Sequence, residues 1–210
     1  MIRATLILFL ILSQQVLMKE TSKEAPAFSA EEVAIIHSSD TLLRVLTIED
    51  PHDCAILRAS STDISTEDLT SEEYARLARL MVATVTHPSQ DGVGIAAPQI
   101  GINRRIVAVQ RFDKEISNPD GTVDYPFEVY PNIRIISMSD SLTPGPEGCL
   151  SVPNHRGEVL RSQEIVIEYA DLSKLNEENY MVRDTVKGFT AVIFQHEIDH
   201  LDGVLYIDRL

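Results

Sequence analysis

Residues 71–86 carry apolar side chains at helical spacing. Apolar residues three or four positions apart lie on one face of a helix, so this segment is predicted to pack that face inward. Thr70 and Glu73 have the spacing of a capping box, and His87-Pro88 is expected to end the helix. The apolar positions are Tyr74, Leu77, Met81 and Val85.

Short apolar runs after this helix predict strands over residues 105–110, 129–136 and 164–169. A second helical pattern covers residues 186–201, and Gly203 follows it at a left-handed C-cap position. The order of helix, strands and helix favours an α+β fold. We expect small mixed or antiparallel sheets packed around the C-terminal helix.

Charge and cysteine content narrow the possible function classes. The 210 residues include 18 Lys and Arg against 32 Asp and Glu, which gives a net charge of −14. An acidic surface repels phosphate backbones, so no nucleic-acid partner is expected. The two cysteines allow at most one disulfide, which excludes a cross-linked scaffold. A small molecule or a peptide is the expected partner.

The N-terminal segment, residues 1–27, differs in pattern from the rest of the chain. Arg3 precedes an apolar run over residues 4–12, and Ala25-Pro26-Ala27 resembles a signal-peptidase site. The run is too short and too interrupted for a stable membrane span. We interpret the segment as signal-like, with a mature chain that starts near Phe28. An uncleaved N-terminal helix is the alternative.

The C-terminal helix contains the motif H-E-x-x-H at His196, Glu197 and His200. Residues four apart on a helix lie about 6 Å from each other, so both imidazoles can reach one metal ion. Both histidines fall on the apolar face, where an unpaired Glu197 would be costly to bury. A bound cation explains all three residues. The alternative is a pair of buried histidines that bond to backbone carbonyls.

Two histidines do not complete a catalytic metal site. The residues after His200, which include a predicted strand over residues 205–208, offer no suitable third ligand. Cys149 is the upstream candidate, in the turn-rich sequence 144–151 that we expect to form a loop. A Cys-His-His set leaves one coordination position open, as catalytic sites do. The alternative for Cys149 is a small buried apolar residue.

Residues 92–101 are rich in Gly and Ala. Small residues leave space for an extended ligand to lie against the main chain. Gln99 in this segment offers an amide donor for a developing oxyanion. A dinucleotide-binding loop is disfavoured, because no G-x-G-x-x-G sequence opens a helix here.

Together these three segments resemble the three signature motifs of the peptide deformylase family. The motifs are Gly92-Val93-Gly94-Ile95-Ala96-Ala97-Pro98-Gln99, Glu147-Gly148-Cys149-Leu150-Ser151 and Gln195-His196-Glu197-Ile198-Asp199-His200-Leu201. The resemblance extends over residues 57–208 and implies one catalytic domain over residues 28–210. It implies an enzyme that removes the N-terminal formyl group from formyl-methionyl peptides or nascent proteins and releases formate.

The residues alone indicate only a metal-assisted acyl hydrolase. A metallo-amidase or protease that acts on other acylated peptides outside the cytoplasm is therefore the alternative.

The resemblance also implies roles for individual residues. Glu197 is expected to be the general acid and base, and the Gln99 side chain and the Leu150 backbone N–H are expected to hold the oxyanion. The implied metal ligands are Cys149, His196 and His200. We expect one divalent ion, Fe²⁺ in the cell, although a thiolate with two imidazoles also accepts Zn²⁺, Ni²⁺ or Co²⁺.

Substrate binding is expected at an apolar pocket for the methionine side chain and at main chain that pairs with the peptide. The residues expected there are Val93, Gly94, Gly148, Phe189, Val192 and Ile193. Glu147 and Arg156 are expected to form an ion pair that holds the cysteine loop, with an exposed pair of little energetic weight as the alternative. Asp199 is expected to point away from the metal, toward the surface or Arg161.

The family's role places the enzyme in the cytoplasm near the ribosome, and we expect a monomer. The signal-like N-terminus makes export to the periplasm or beyond the cell the alternative.

Overall fold

The computed structural model describes residues 25–210. The α-helices are α1 Ala30–Ile36, α2 Pro51–Leu57, α3 Glu72–Val85 and α4 Gly188–Leu201. The strands are β1 Gly94–Ala96, β2 Ile106–Gln110, β3 Ile116–Ser117, β4 Val123–Asp124, β5 Phe127–Pro131, β6 Arg134–Met138, β7 Leu142–Cys149, β8 Val152–Ser162, β9 Glu164–Ala170 and β10 Met181–Lys187.

Two three-stranded sheets and two hairpins form the β-structure of this part of the chain. One sheet has the order β1-β2-β5 and the other β10-β9-β6, while β3-β4 and β7-β8 pair as hairpins. All of these pairings are antiparallel. Helix α4 packs against both three-stranded sheets, which confirms the predicted α+β class.

Helix α3 occupies the segment that the apolar periodicity predicts. Leu77, Met81 and Val85 are fully buried against the first sheet. The predicted cap at Thr70 is wrong by one residue, because Ser71 is the N-cap and accepts from the Tyr74 N–H. Thr70 instead donates its hydroxyl to a neighbouring carbonyl. The apolar periodicity therefore predicts the helix correctly. The extended backbone of Ser71 determines which residue caps it.

The predicted strand over residues 129–136 is wrong as one element. It is divided into β5 and β6, which belong to different sheets. Asn132 lies between them with φ of 55°, a left-handed conformation that ends β5 and redirects the chain. Its side-chain oxygen accepts from the Ile64 N–H and its amide donates to the Ile64 carbonyl, which holds this turn in place.

The C-terminal helix starts two residues later than its periodicity predicts. Val186 belongs to β10, where it pairs with Ile165, and Gly188 begins α4 with φ of 60°. Gly203 ends the helix region with φ of 72°, as predicted. A side chain at Gly203 would also collide with the Arg58 carbonyl oxygen, which lies where a Cβ would have to fit.

Two further predictions of local structure are wrong. The sequence 144–151 is not a loop, because most of it lies in β7, whose Pro144 and Pro146 occupy an edge strand that tolerates proline. Residues 205–208 are not a strand, because Tyr206–Arg209 form a 3₁₀ turn. We refer to this element as the C-terminal turn. It packs against the β7–β8 hairpin.

The signal-like interpretation of residues 1–27 falls mostly outside the described residues. Pro26 and Ala27 are described, and their carbonyls accept from the Arg104 guanidinium at 2.5 and 2.6 Å. Arg104 is 4 % exposed and also pairs with Glu32 at 2.6 Å. Within residues 25–210, none of the helices has both the length and the apolar character that a membrane crossing requires.

Candidate metal centre

Cys149, His196 and His200 come together at one point of the fold. One ligand atom from each lies within 4.8 Å of the others, and Cys149 Sγ is 3.2 Å from His200 Nε2. The two histidines come from successive turns of α4, while Cys149 is the last residue of β7. The tertiary structure thus places the upstream cysteine beside the histidine pair.

The buried carboxylate of Glu147 holds the edge of His196. Glu147 Oε2 accepts from His196 Nδ1–H at 2.7 Å, which directs Nε2 toward the cluster. Burial would raise the pKa of Glu147, but hydrogen bonds from His196 and Arg161 outweigh it and lower that pKa to about 2. Glu147 is therefore ionised at neutral pH.

The predicted ion pair between Glu147 and Arg156 is wrong. Arg161 takes both oxygens of Glu147, at 2.7 and 3.0 Å, and is only 4 % exposed. Its remaining nitrogen donates to Asp199 at 2.6 Å. This contact agrees with the expectation that Asp199 points toward Arg161. Arg156 lies instead at the rim of the adjacent cleft, where its side chain passes over Gly148. In the antiparallel hairpin, Arg161 is on the buried face of β8, whereas Arg156 lies in the exposed middle part of the strand.

Glu197 is buried beside the cluster with one carboxylate oxygen unpaired. Oε2 has no hydrogen-bond partner among the described residues, and the side chain is almost fully enclosed. Burial raises the pKa of Glu197 to about 7. Gly94 makes room for this side chain, because a Cβ there would lie 2.5 Å from Glu197 Oε1. The small residues near position 94 thus leave room for the Glu197 carboxylate as well as for a ligand.

Gln99 faces the cluster with its amide nitrogen. Its Oε1 accepts from the Ala96 N–H at 2.8 Å, which fixes the orientation of the side-chain amide. Its Nε2 then lies 3.3 Å from Ser151 Oγ and 3.6 Å from Cys149 Sγ. The amide donor of Gln99 is therefore directed at the cysteine side of the cluster.

A cleft of about 680 Å³ opens directly onto these residues. All six residues expected to bind substrate line it, together with Leu150: Val93, Gly94, Gly148, Phe189, Val192 and Ile193. Phe189 is 57 % exposed and packs on Phe112, with ring centroids 5.3 Å apart. Phe112 was not found from the sequence, because it lies more than 70 positions away and carries no motif.

The donor set fits a divalent metal ion. One thiol and two imidazoles converge in a mostly buried site, and burial lowers the pKa of His200 so that its ring stays neutral, the form that binds a metal. Cys149 is not in a disulfide, and neither is Cys54. The chemistry of the three donors and the unpaired Glu197 carboxylate together suit metal-assisted hydrolysis.

A family model for polypeptide deformylase matches residues 42–210. The chain belongs to the polypeptide deformylase family. A peptide deformylase of Leptospira biflexa is 39 % identical over 168 residues, which cover 80 % of this chain and 87 % of that protein. A peptide deformylase of Roseiflexus is 37 % identical over 176 residues, which cover 80 % of this chain and 89 % of that protein.

Solved deformylase structures share the fold. A class I type b peptide deformylase from Acinetobacter baumannii, bound to Met-Ala-Ser, superposes with a TM-score of 0.66 at 34 % identity over 82 % of this chain and 100 % of its own. A plant peptide deformylase superposes with a TM-score of 0.62 at 32 % identity over 80 % of each chain.

Membership of the deformylase family confirms the expected activity. The chain is a metal-dependent hydrolase that removes the N-terminal formyl group from formyl-methionyl peptides and nascent proteins. None of the relatives named above supports the alternative of an amidase or protease that acts on other acyl groups.

Proposed function

We propose that Cys149, His196 and His200 hold the catalytic metal ion of this deformylase. The convergence of their ligand atoms within 4.8 Å, beside a buried and unpaired Glu197 carboxylate, is the observation that carries the proposal. A divalent ion at this site supplies Lewis-acid activation of water and of the formyl oxygen. Glu147 keeps His196 in the tautomer with a free Nε2.

Glu197 is the general acid and base in this proposal. Its enclosed carboxylate, with a pKa raised to about 7 by burial, can accept and return a proton near neutral pH. Glu197 takes the proton of the attacking water and then delivers it to the departing amine. The bond between the formyl carbon and the amide nitrogen breaks, which leaves formate and a free N-terminus.

The Gln99 amide and the Leu150 backbone N–H stabilise the developing oxyanion. Gln99 is preorganised for this role because the Ala96 N–H holds its other end. Leu150 directly follows Cys149 and lines the same cleft. Removal of one such donor typically lowers the rate by about 10²–10³.

The substrate's methionine side chain enters between Val93, Leu150 and the apolar face of α4. Phe189, Val192 and Ile193 supply that face. Strand β1 has a free edge in its sheet, and β7 has a free edge in its hairpin. An extended peptide can pair with main chain at Gly94 and Gly148 between these two edges. Such binding recognises the methionine side chain alone, so the site accepts different residues after the methionine.

The test is formate release from formyl-Met-Ala-Ser by protein loaded anaerobically with Fe²⁺, Ni²⁺ or Zn²⁺. We expect the highest activity with Fe²⁺, and loss of that activity in air because a thiolate-bound ferrous site is open to oxidation. Cys149→Ala and Glu197→Gln should each abolish formate release.

Matched changes outside the cleft serve as controls. Cys54→Ala removes the other free thiol, and Glu158→Gln neutralises an exposed glutamate on the same hairpin as the cysteine. Both should retain wild-type turnover. Wild-type turnover by Cys149→Ala or Glu197→Gln would overturn the assigned roles.

We also propose that the enzyme acts as a monomer in the cytoplasm, near the ribosome, where formyl-methionyl chains emerge. Residues 28–210 form the catalytic domain in this proposal. Cell fractionation with immunoblotting tests the compartment, and mass spectrometry of the native N-terminus tests cleavage near Phe28. Enzyme found only outside the cytoplasm would contradict the proposed compartment.

A further inference from the structure

Tyr206 in the C-terminal turn stacks on the imidazole of His196. The two ring centroids are 6.0 Å apart, with an angle of 21° between the planes. This distance and angle fall in the range of offset stacking between flat rings. Tyr206 is only 1 % exposed, so its ring is enclosed where it meets His196.

Two ion pairs, from Asp208 and Arg209, anchor the C-terminal turn just after Tyr206. Asp208 pairs with Arg58, while its Oδ2 also accepts from the Leu205 N–H at 2.8 Å. Arg209 donates two hydrogen bonds to Asp199 of α4, each at 2.5 Å. The backbone that carries Tyr206 is thereby tied to α4.

The same turn is seated on the β7–β8 hairpin, which carries Cys149. Tyr206 packs with the buried Val152 and Val159 of β8. The side chain of Leu210 lies directly over Gly157, in space that a Cβ at this position would need. The turn therefore joins the two chain segments that carry the proposed metal ligands.

The ring of Tyr206, and not its hydroxyl, makes this contact. The hydroxyl is buried and has no hydrogen-bond partner within residues 25–210. A buried unpaired hydroxyl stabilises nothing. Phenylalanine at this position would keep the flat face and remove the unpaired group.

We propose that Tyr206 is a positioning residue for His196. The hydrogen bond to Glu147 holds one edge of the imidazole, and the ring of Tyr206 covers one of its faces. The flat face of Tyr206 opposes any tilt of the imidazole toward that side, so Nε2 stays directed at Cys149 and His200. The inference rests on the metal site proposed above.

The experiment compares Co²⁺ binding by the full chain and by three variants. Tyr206→Leu removes the flat face, Tyr206→Phe keeps it, and Tyr74→Leu removes a buried tyrosine that packs in a different apolar cluster, around helix α3. Affinity is measured by competition with a chelator, and ligand geometry by the d–d and thiolate-to-cobalt absorption bands.

We expect Tyr206→Leu to weaken Co²⁺ binding by about tenfold and to change the d–d bands, as loss of a group that orients a metal ligand does. Tyr206→Phe should match the wild type in affinity and spectrum. Tyr74→Leu should lower the stability of the fold and leave Co²⁺ affinity unchanged.

Wild-type affinity and spectrum for Tyr206→Leu would overturn the proposal, and so would an equal loss of affinity in Tyr74→Leu. Failure of the wild type to bind Co²⁺ would overturn the metal site and this inference with it. Formate release is measured in parallel. Wild-type protein that binds Co²⁺ but releases no formate would contradict the proposed function, while the affinity ratio still decides the role of Tyr206.

Discussion

Glu147 accepts a hydrogen bond from His196 at 2.7 Å while the buried guanidinium of Arg161 holds both of its oxygens. A buried carboxylate needs such partners, because its transfer out of water is costly. The buried ion pair of Glu147 and Arg161 thus orients His196, a proposed metal ligand. Arg161 also bonds to Asp199 on the same helix as His196, so one guanidinium braces α4 against the cysteine hairpin.

Loss of Arg161 should destabilise the fold strongly. Arg161→Ala leaves Glu147 and Asp199 partly unpaired in a buried setting, and we expect a decrease of about 3 kcal/mol in the free energy of unfolding. Arg183→Ala is the control, because Arg183 is exposed and its pair with Glu168 should contribute less than about 1 kcal/mol. Urea unfolding at identical metal loading measures both. Equal decreases in the free energy of unfolding for the two variants would show that burial of Arg161 does not increase its contribution to stability.

A methyl group at position 94 should displace the catalytic carboxylate. In Gly94→Ala the added Cβ would lie 2.5 Å from Glu197 Oε1, so the glutamate must move while the surrounding backbone keeps its place. We expect formate release to fall by at least about tenfold, since small misplacements of a reacting group are costly. Gly145→Ala, which meets no atom within 4 Å, should keep full activity. Unchanged turnover in Gly94→Ala would argue against the role of Glu197.

The contribution of Glu197 to the stability of the metal-free protein should fall as pH rises through the titration of this carboxyl group. Its pKa is raised from 4.5 to about 7 by burial, so the folded state holds a proton that the unfolded state has released. The stability associated with the protonated form is complete below pH 4.5 and is lost as pH approaches and passes 7. Glu197→Gln should remove this part of the pH dependence, which urea unfolding at a series of pH values detects. A variant with the same profile as the wild type would contradict the assignment.

The backbone of Pro26 and Ala27 should contribute to stability. Both carbonyls accept from buried Arg104, and hydrogen bonds to charged groups contribute about 1.5–3 kcal/mol each. A chain that starts at Ala25 should therefore be more stable in urea than one that starts at Phe28, by about 2 kcal/mol after partial compensation. The new ammonium of Phe28 would lie 2.9 Å from Asp68, which offsets part of the loss. Equal stability would show that the two carbonyl contacts to Arg104 contribute nothing to the stability of the fold.

Local sequence patterns determined much of this protein. The H-E-x-x-H spacing places two histidines one turn apart on any helix, and the apolar face of residues 72–85 requires burial whatever its neighbour is. The turn-rich and the Gly/Ala-rich segments, which are also family motifs, indicate Cys149 and Gln99, and the structure brings both to the histidines. The two helical patterns are predictable because they depend on spacing along a single element.

Tertiary structure decided the contacts between elements. Glu147 could have reached Arg156 or Arg161 along the same hairpin, and only the pairing of β7 with β8 and the packing of α4 determine which guanidinium is buried beside it. The break at Asn132 depends on Ile64, 68 residues away, and the stacking of Tyr206 on His196 depends on how the chain turns after Gly203. Periodicity along the chain records which face of an element is buried, but the partner at that face is set by the free energy of packing the whole domain.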